Sequence, residues 1–160
     1  MYSRNLSLDP KKFVKILVFI HLSLFMGQVL FAAVCLFISV RPVLDLKPVN
    51  DVFFFIAPFL ILSGILAGSF LFKTLKAKVA EKQTLIEKLR AYQTAMIVRF
   101  AFGEGPSLFG LVCFLLTHNL YYLFCVGVNL IYFIIIRPTK FNIHDDLALS
   151  YEDQAELDAK

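Results

Sequence analysis

The stretch VFFFIAPFLILSGILAGSFLF, residues 52–72, carries no charged side chain. A helix rises about 1.5 Å per residue, so a segment of this length reaches across the roughly 30 Å hydrocarbon core of a bilayer. Three other segments share its character. VKILVFIHLSLFMGQVLFAAVCLFISV covers about 14–40, AMIVRFAFGEGPSLFGLVCFLLT about 95–117, and LYYLFCVGVNLIYFIII about 120–136. The last is short for a span but uncharged. Four crossings therefore predict an all-α transmembrane bundle.

Composition agrees. Hydrophobic residues make up 59% of the 160, with 18 Phe, and mean hydropathy is +0.74. A soluble domain is usually about 45–50% apolar. The first run is far longer than the roughly 7–15 residue core of a cleaved signal, and no small-residue cleavage site follows it. It is expected to stay as an anchor. The basic residues flank the apolar blocks and form no separate basic domain, which excludes a nucleic-acid partner. Cys35, Cys113 and Cys125 lie inside apolar runs without metal spacing and read as small buried hydrophobes. A Cys35–Cys113 bridge is the remote alternative.

Lysine and arginine are segregated, and that sets orientation. Arg4, Lys11, Lys12 and Lys15 precede the first span. Lys73, Lys76, Lys78, Lys82, Lys88 and Arg90 lie between spans two and three, and Arg137 and Lys140 follow span four. The other side has Arg41 and Lys47. Both termini and the central loop are predicted cytoplasmic. Tyr121 and Tyr122 are placed at the outer interface. The segment 73–94 has no Gly or Pro, and Leu85, Leu89 and Tyr92 recur at helical spacing. It predicts a cytoplasmic helical hairpin turning near 78–83, either a solvated extension of spans two and three or a docking surface for a protein partner or anionic lipid. Residues 1–143 form one transmembrane domain. The acidic tail 144–160 is expected to be flexible or a frayed, solvated helix.

A shift of 78 residues lays HLSLFMGQVLFAAVCLF (21–37) on RFAFGEGPSLFGLVCFL (99–115). Gly27 then meets Gly105, Leu30 meets Leu108, Phe31 meets Phe109, Val34 meets Val112 and Cys35 meets Cys113. The bundle therefore reads as a duplicated helical hairpin, the two copies related by an axis along the membrane normal.

The polar residues inside the apolar runs are the candidate site: Glu104, His21, Gln28, Arg99, Ser107 and Asn129, beside a helix kink at Pro106. A charged group near mid-bilayer costs about 2.5–3.5 kcal/mol on insertion scales. Glu104 must then be protonated, paired or turned inward. Arg99 is about 140° away around the helix, so His21 is the expected partner. Pro106 removes a backbone hydrogen bond, and Gly103 and Gly105 flank the carboxylate. Ser23, Gly27, Gly64, Gly68, Gly103, Ser107 and Gly110 mark packing faces. Glu104 reads either as a toggling proton or cation site or as a hydrogen-bonding staple between helices.

With HLSLFMGQVLF, RFAFGEGPSLFGLVCFLL and the closing RPTK in view, the chain resembles a family of uncharacterised small four-span bacterial inner-membrane proteins over nearly its whole length. That resemblance implies location in the bacterial inner membrane and brings no established activity. A duplicated hairpin with one membrane glutamate is more remotely similar to the proteolipid ring subunits of rotary ATPases, in which the carboxylate sits in the second helix of its hairpin. Glu104 sits in the first. Small four-span multidrug exporters carry theirs in the first span.

No HExxH, GxSxG, P-loop or CxxC pattern occurs. The expectation is a non-enzymatic accessory or scaffolding subunit without cofactor or metal. Its partners are the lipid bilayer, a protein at 73–94, or a second copy in a homo-oligomer. The alternative is a proton- or cation-coupled carrier or channel using Glu104.

Overall fold

The computed structural model describes residues 10–46, 51–79 and 81–158; Arg4, Lys47 and Lys160 of the charge pattern lie outside the described residues. Six helices follow in order: α1 Pro10–Ile38, α2 Phe53–Ala77, α3 Leu85–Thr117, α4 Leu120–Ile135, α5 Lys140–Leu147 and α6 Tyr151–Asp158. The one extended pairing among the described residues is an isolated parallel bridge between Val43 and Asn119.

Three helices are long and apolar enough to cross a membrane: Lys12–Ile38, Phe53–Ala77 and Leu85–Thr117. The fourth candidate is α4 taken with α5, two helices that meet at a 72° bend. At 16 residues, α4 alone is about 24 Å long. The outward faces are apolar. Phe37 is 91% exposed, Phe55 75% and Phe124 71%. A surface of this kind would associate in water and is at home in lipid. The chain has the build of a multi-pass membrane protein.

Local signals begin and end the helices. Thr84 caps α3, accepting the Glu87 amide at 3.3 Å. The run Thr-Leu-Ile-Glu is a capping-box pattern. Asn119 caps α4 through Tyr121 N at 3.1 Å, and Thr139 caps α5 through Asn142 N at 3.1 Å. His118, in the left-handed region at φ 56°, ends α3 and turns the chain into α4.

α3 is the axis of the bundle, packing against α2, α4 and α1. Each neighbour takes a different face of it. A side chain at Gly64 of α2 would collide with the Phe102 carbonyl and lie 2.8 Å from Pro106. One at Gly68 would lie 3.0 Å from the Phe102 Cβ. On the α4 face, a side chain at Gly103 would meet Phe133 at 2.8 Å, and one at Gly110 would meet Val126 at 2.8 Å. α1 presents Val14, His21, Gln28 and Cys35, a buried stripe seven residues apart.

The two ends of the bundle are built differently. At one end the α1–α2 loop and the α3–α4 turn clasp each other. The Val43 amide donates to the His118 carbonyl at 3.0 Å, and the Leu120 amide donates to the Val43 carbonyl at 2.8 Å. Ser39 Oγ bonds His118 Nδ1 at 2.7 Å, Asn119 holds both the Asp45 amide and carbonyl, and the Tyr122 hydroxyl donates to Asp51. At the other end, α1 begins, α2 turns into α3, and α5 and α6 fold across. One cluster there joins Phe13 and Leu17 of α1, Leu85 and Leu89 of α3, and Ile143 and Leu157 of the last helices.

One expectation is corrected at this end. The acidic tail, expected to be flexible or a frayed, solvated helix, is packed against the bundle. It buries Ile143, Leu147, Leu149 and Leu157, and its carboxylates meet the lysines of the central segment: Lys76–Asp146 at 2.7 Å and Lys88–Asp153 at 3.3 Å. The segment 73–94 extends spans two and three. α2 runs unbroken to Ala77 and α3 starts at Leu85, so its arms are continuations of the two membrane helices, covered by the tail. The three cysteines are free, so Cys35 and Cys113 are not bridged.

The glycine contacts predict opposite outcomes in a thermal unfolding assay in detergent. Gly64→Val should cost about 1–3 kcal/mol, the usual penalty of overpacking. Gly105→Ala, where an added Cβ meets nothing within 4 Å, should be neutral or stabilise by up to about 1 kcal/mol through helix propensity.

Candidate functional site

Depth along α3 orders the polar residues. From Thr117, helix geometry puts Ser107 about 15 Å, Glu104 about 20 Å and Arg99 about 27 Å along the axis. In a layer of roughly 30 Å that starts at Thr117, Ser107 is central, Glu104 lies just past the middle, and Arg99 is at the far edge.

Asn129 and Ser107 form the central contact. Asn129 Nδ2 donates to the Gly103 carbonyl at 2.7 Å and to Ser107 Oγ at 2.6 Å. Gly103 makes this reach feasible, because α4 lies directly on its Cα. Both polar side chains are wholly buried, and the contact fixes the register of α3 against α4. The Asn129 Oδ1 atom has no hydrogen-bond partner among the described residues.

His21 caps a helix. Ile136 N bonds Tyr132 O, but Arg137 N turns to Ile134 O, which leaves the Phe133 carbonyl without its helical donor. His21 Nε2 approaches that carbonyl to 2.9 Å. A carbonyl only accepts, so Nε2 carries the proton. The ring lies between Phe100, edge-on at 5.1 Å, and Phe133, stacked at 5.5 Å.

Arg99 is pinned by aromatics. Its Nε donates to the Tyr132 hydroxyl at 3.0 Å, and that oxygen lies 2.9 Å from Ser69 Oγ. The guanidinium carbon sits 4.8 Å from the Phe72 ring centre and 5.6 Å from that of Tyr132. Cation–π attraction and one hydrogen bond hold the group across α2, α3 and α4.

The expected single cluster is therefore five separate arrangements. Glu104 is half-buried and makes no hydrogen bond or ion pair among the described residues. Its expected partner His21 is committed to Phe133. The reason is helix phase: Gly103 and Ser107 face α4, and Glu104, one residue on, points about 100° away from Gly103. Gln28 is also isolated. Its Nε2 makes a long 3.4 Å contact to the Leu24 carbonyl within its own helix, and its buried Oε1 has no partner among the described residues. Pro106 lies within an unbroken α3, where its ring fills the space beside Gly64.

Several contributors escaped the sequence. Tyr132, Phe133, Ser69 and Phe72 organise Arg99 and His21, yet each resembles an ordinary apolar-run residue. A signal was present for Tyr132 alone: it lies three residues after Asn129, near the C-terminal end of its span. Beyond the apolar layer, Tyr92 donates to Asp146 Oδ2 at 3.0 Å. Burial, then the facing Asp146 carboxylate, raises the Tyr92 phenol far above its ordinary range. It therefore remains a donor at any physiological pH. No group of three metal-ligating side chains occurs among the described residues.

Separate arrangements should behave independently. A His21→Leu, Glu104→Leu double-mutant cycle, read by thermal unfolding, should give a coupling below about 0.5 kcal/mol. Asn129→Leu should cost more than Glu104→Leu, because it removes the central contact and leaves Ser107 buried without its donor, a loss of about 1–3 kcal/mol. Compared with family models, with curated proteins and with solved structures, the chain matches none.

Proposed function

We propose that the chain is a four-span protein of the bacterial inner membrane, built from a duplicated helical hairpin, that acts as an accessory or scaffolding subunit and not as an enzyme. The observation that carries this reading is the packed knob at one end of the bundle. There α1, α2 and α3 run past the apolar layer and are covered by α5 and α6. α3 is 33 residues long, about 50 Å, which exceeds a bilayer core by about 20 Å. Such a knob offers a fixed surface to a protein partner.

Charge supports the orientation. Lys12, Lys15, Lys73, Lys76, Lys88 and Arg137 gather at the knob end, while Arg41 lies at the clasp end. By the positive-inside rule the knob is cytoplasmic. Two features support duplication. Gly27 and Gly105 both face open space, and Cys35 and Cys113 are buried in the same cluster, so α1 and α3 run in the same direction.

Crosslinking in intact membranes, followed by gentle solubilisation and pull-down, tests the scaffold. A partner crosslinked through the knob residues Lys73, Lys78 or Lys82 is the expected result. Recovery of a lone monomer would overturn it. Accessibility labelling should place residue 84 and residue 151 on the same, cytoplasmic face.

A second reading rests on Glu104 alone. A half-buried carboxylate without a partner among the described residues can bind a proton or cation and release it. Proteoliposome flux that falls on Glu104→Gln would support a carrier or channel. Unchanged flux would dismiss it.

A further inference from the structure

Two hollows meet at Arg137. The first, of about 220 Å³, opens at the inner edge of the apolar layer between Arg99, Arg137, Asn142, Asp145 and Asp146, over a floor that includes Phe72 and Ile136. The second, of about 180 Å³, is a crevice between α1 and α4, lined by Val18, His21, Leu22, Phe25, Ile134 and Arg137. One is polar and sits where headgroups lie. The other is largely apolar and sits where acyl chains lie. α1 leans on α3 more than on α4, which leaves the crevice open.

The charges in the polar hollow sort themselves. Asp146 is occupied at both oxygens, by Lys76 Nζ at 2.7 Å and the Tyr92 hydroxyl at 3.0 Å. Its charge is cancelled within the protein. Arg99 uses Nε for Tyr132 and is held against two rings, so its outer nitrogens are fixed and have no partner among the described residues. The Arg137 guanidinium and the Asp145 carboxylate also make no hydrogen bond or ion pair there. What remains is two guanidiniums and one carboxylate around one cavity. Two guanidiniums favour a phosphate, which takes their planar donors in pairs. A carboxylate at the same rim repels a plain anion and accepts a cation.

We infer that the two hollows form a seat for one phospholipid whose headgroup carries an ammonium beside its phosphodiester, the phosphate between Arg99 and Arg137, the ammonium at Asp145, and an acyl chain in the α1–α4 crevice. The inference rests on the membrane build of the chain and is independent of the scaffold reading.

Native mass spectrometry of the delipidated, detergent-purified full chain tests it, with phosphatidylethanolamine, phosphatidylglycerol and inorganic phosphate as separate probes. Phosphatidylethanolamine should be retained under activation that strips phosphatidylglycerol, and phosphate alone should leave no adduct. Arg137→Gln should weaken phosphatidylethanolamine retention by about tenfold, the usual scale for losing a charged hydrogen-bonding partner. Asp145→Asn should abolish the preference over phosphatidylglycerol while leaving total lipid binding in place. Both side chains are exposed, so neither variant threatens the fold; Arg99→Gln is a third, read only if its unfolding temperature is unchanged. Equal retention of the two lipids by the unaltered chain would overturn the inference. Arg137→Gln retaining phosphatidylethanolamine as the unaltered chain does would also overturn it, as would persistent adducts with inorganic phosphate alone.

Discussion

Close approach of α2 to α3 is the constraint on which the other contacts rest. Lipid tails are as apolar as leucine, so membrane helices gain little by merely hiding hydrophobic surface from one another. They gain by dispersion and by backbones that come close. Gly64 and Gly68 allow α2 to lie on Phe102, Pro106 and the Arg99 backbone. Pro106, which lacks an amide hydrogen and leaves a gap in the helix ladder, is tolerated because its ring fills the groove that Gly64 leaves. With α2 on one side of α3, Gly103 and Gly110 accept α4 on the next. The polar contacts come afterwards. Asn129 reaches the Gly103 carbonyl only because the two helices already touch.

This order explains why the intramembrane polar residues act singly. Each has a local task set by the gap it faces. His21 completes the last turn of α4, Asn129 sets register at the centre, and Arg99 ties three helices at the boundary. None depends on Glu104. A polar group in lipid is expensive unless it is satisfied, and here satisfaction comes mainly from backbone carbonyls and aromatic rings. Ionised partners appear outside the apolar layer, where Lys76 and Lys88 meet the tail.

Much of the architecture was legible in the sequence. The uncharged run 52–72 gave the span length directly, and the absence of Gly or Pro between Lys73 and Ala95 gave helices continuing out of the membrane. The turn near 78–83 followed from where the apolar period restarts at Leu85. Partnerships within the site were less legible. Phase along a helix is readable, but which neighbour lies on which face is not, so His21 was matched to Glu104 by depth alone. The tail was misjudged for another reason. Its six acids suggested solvation, while the four leucine and isoleucine positions that dock it are spread through 143–157 at spacings that fit two short helices better than one.

The placement of Leu157 bears on how the chain is made. It is wholly buried in a cluster with Phe13 and Leu17, almost the full sequence away. During synthesis α1 emerges early, and its apolar end stays uncovered while every later helix is produced. The packing outside the apolar layer is closed only with residue 157 in place, so a chain clipped ahead of it displays greasy surface that Leu157 otherwise conceals.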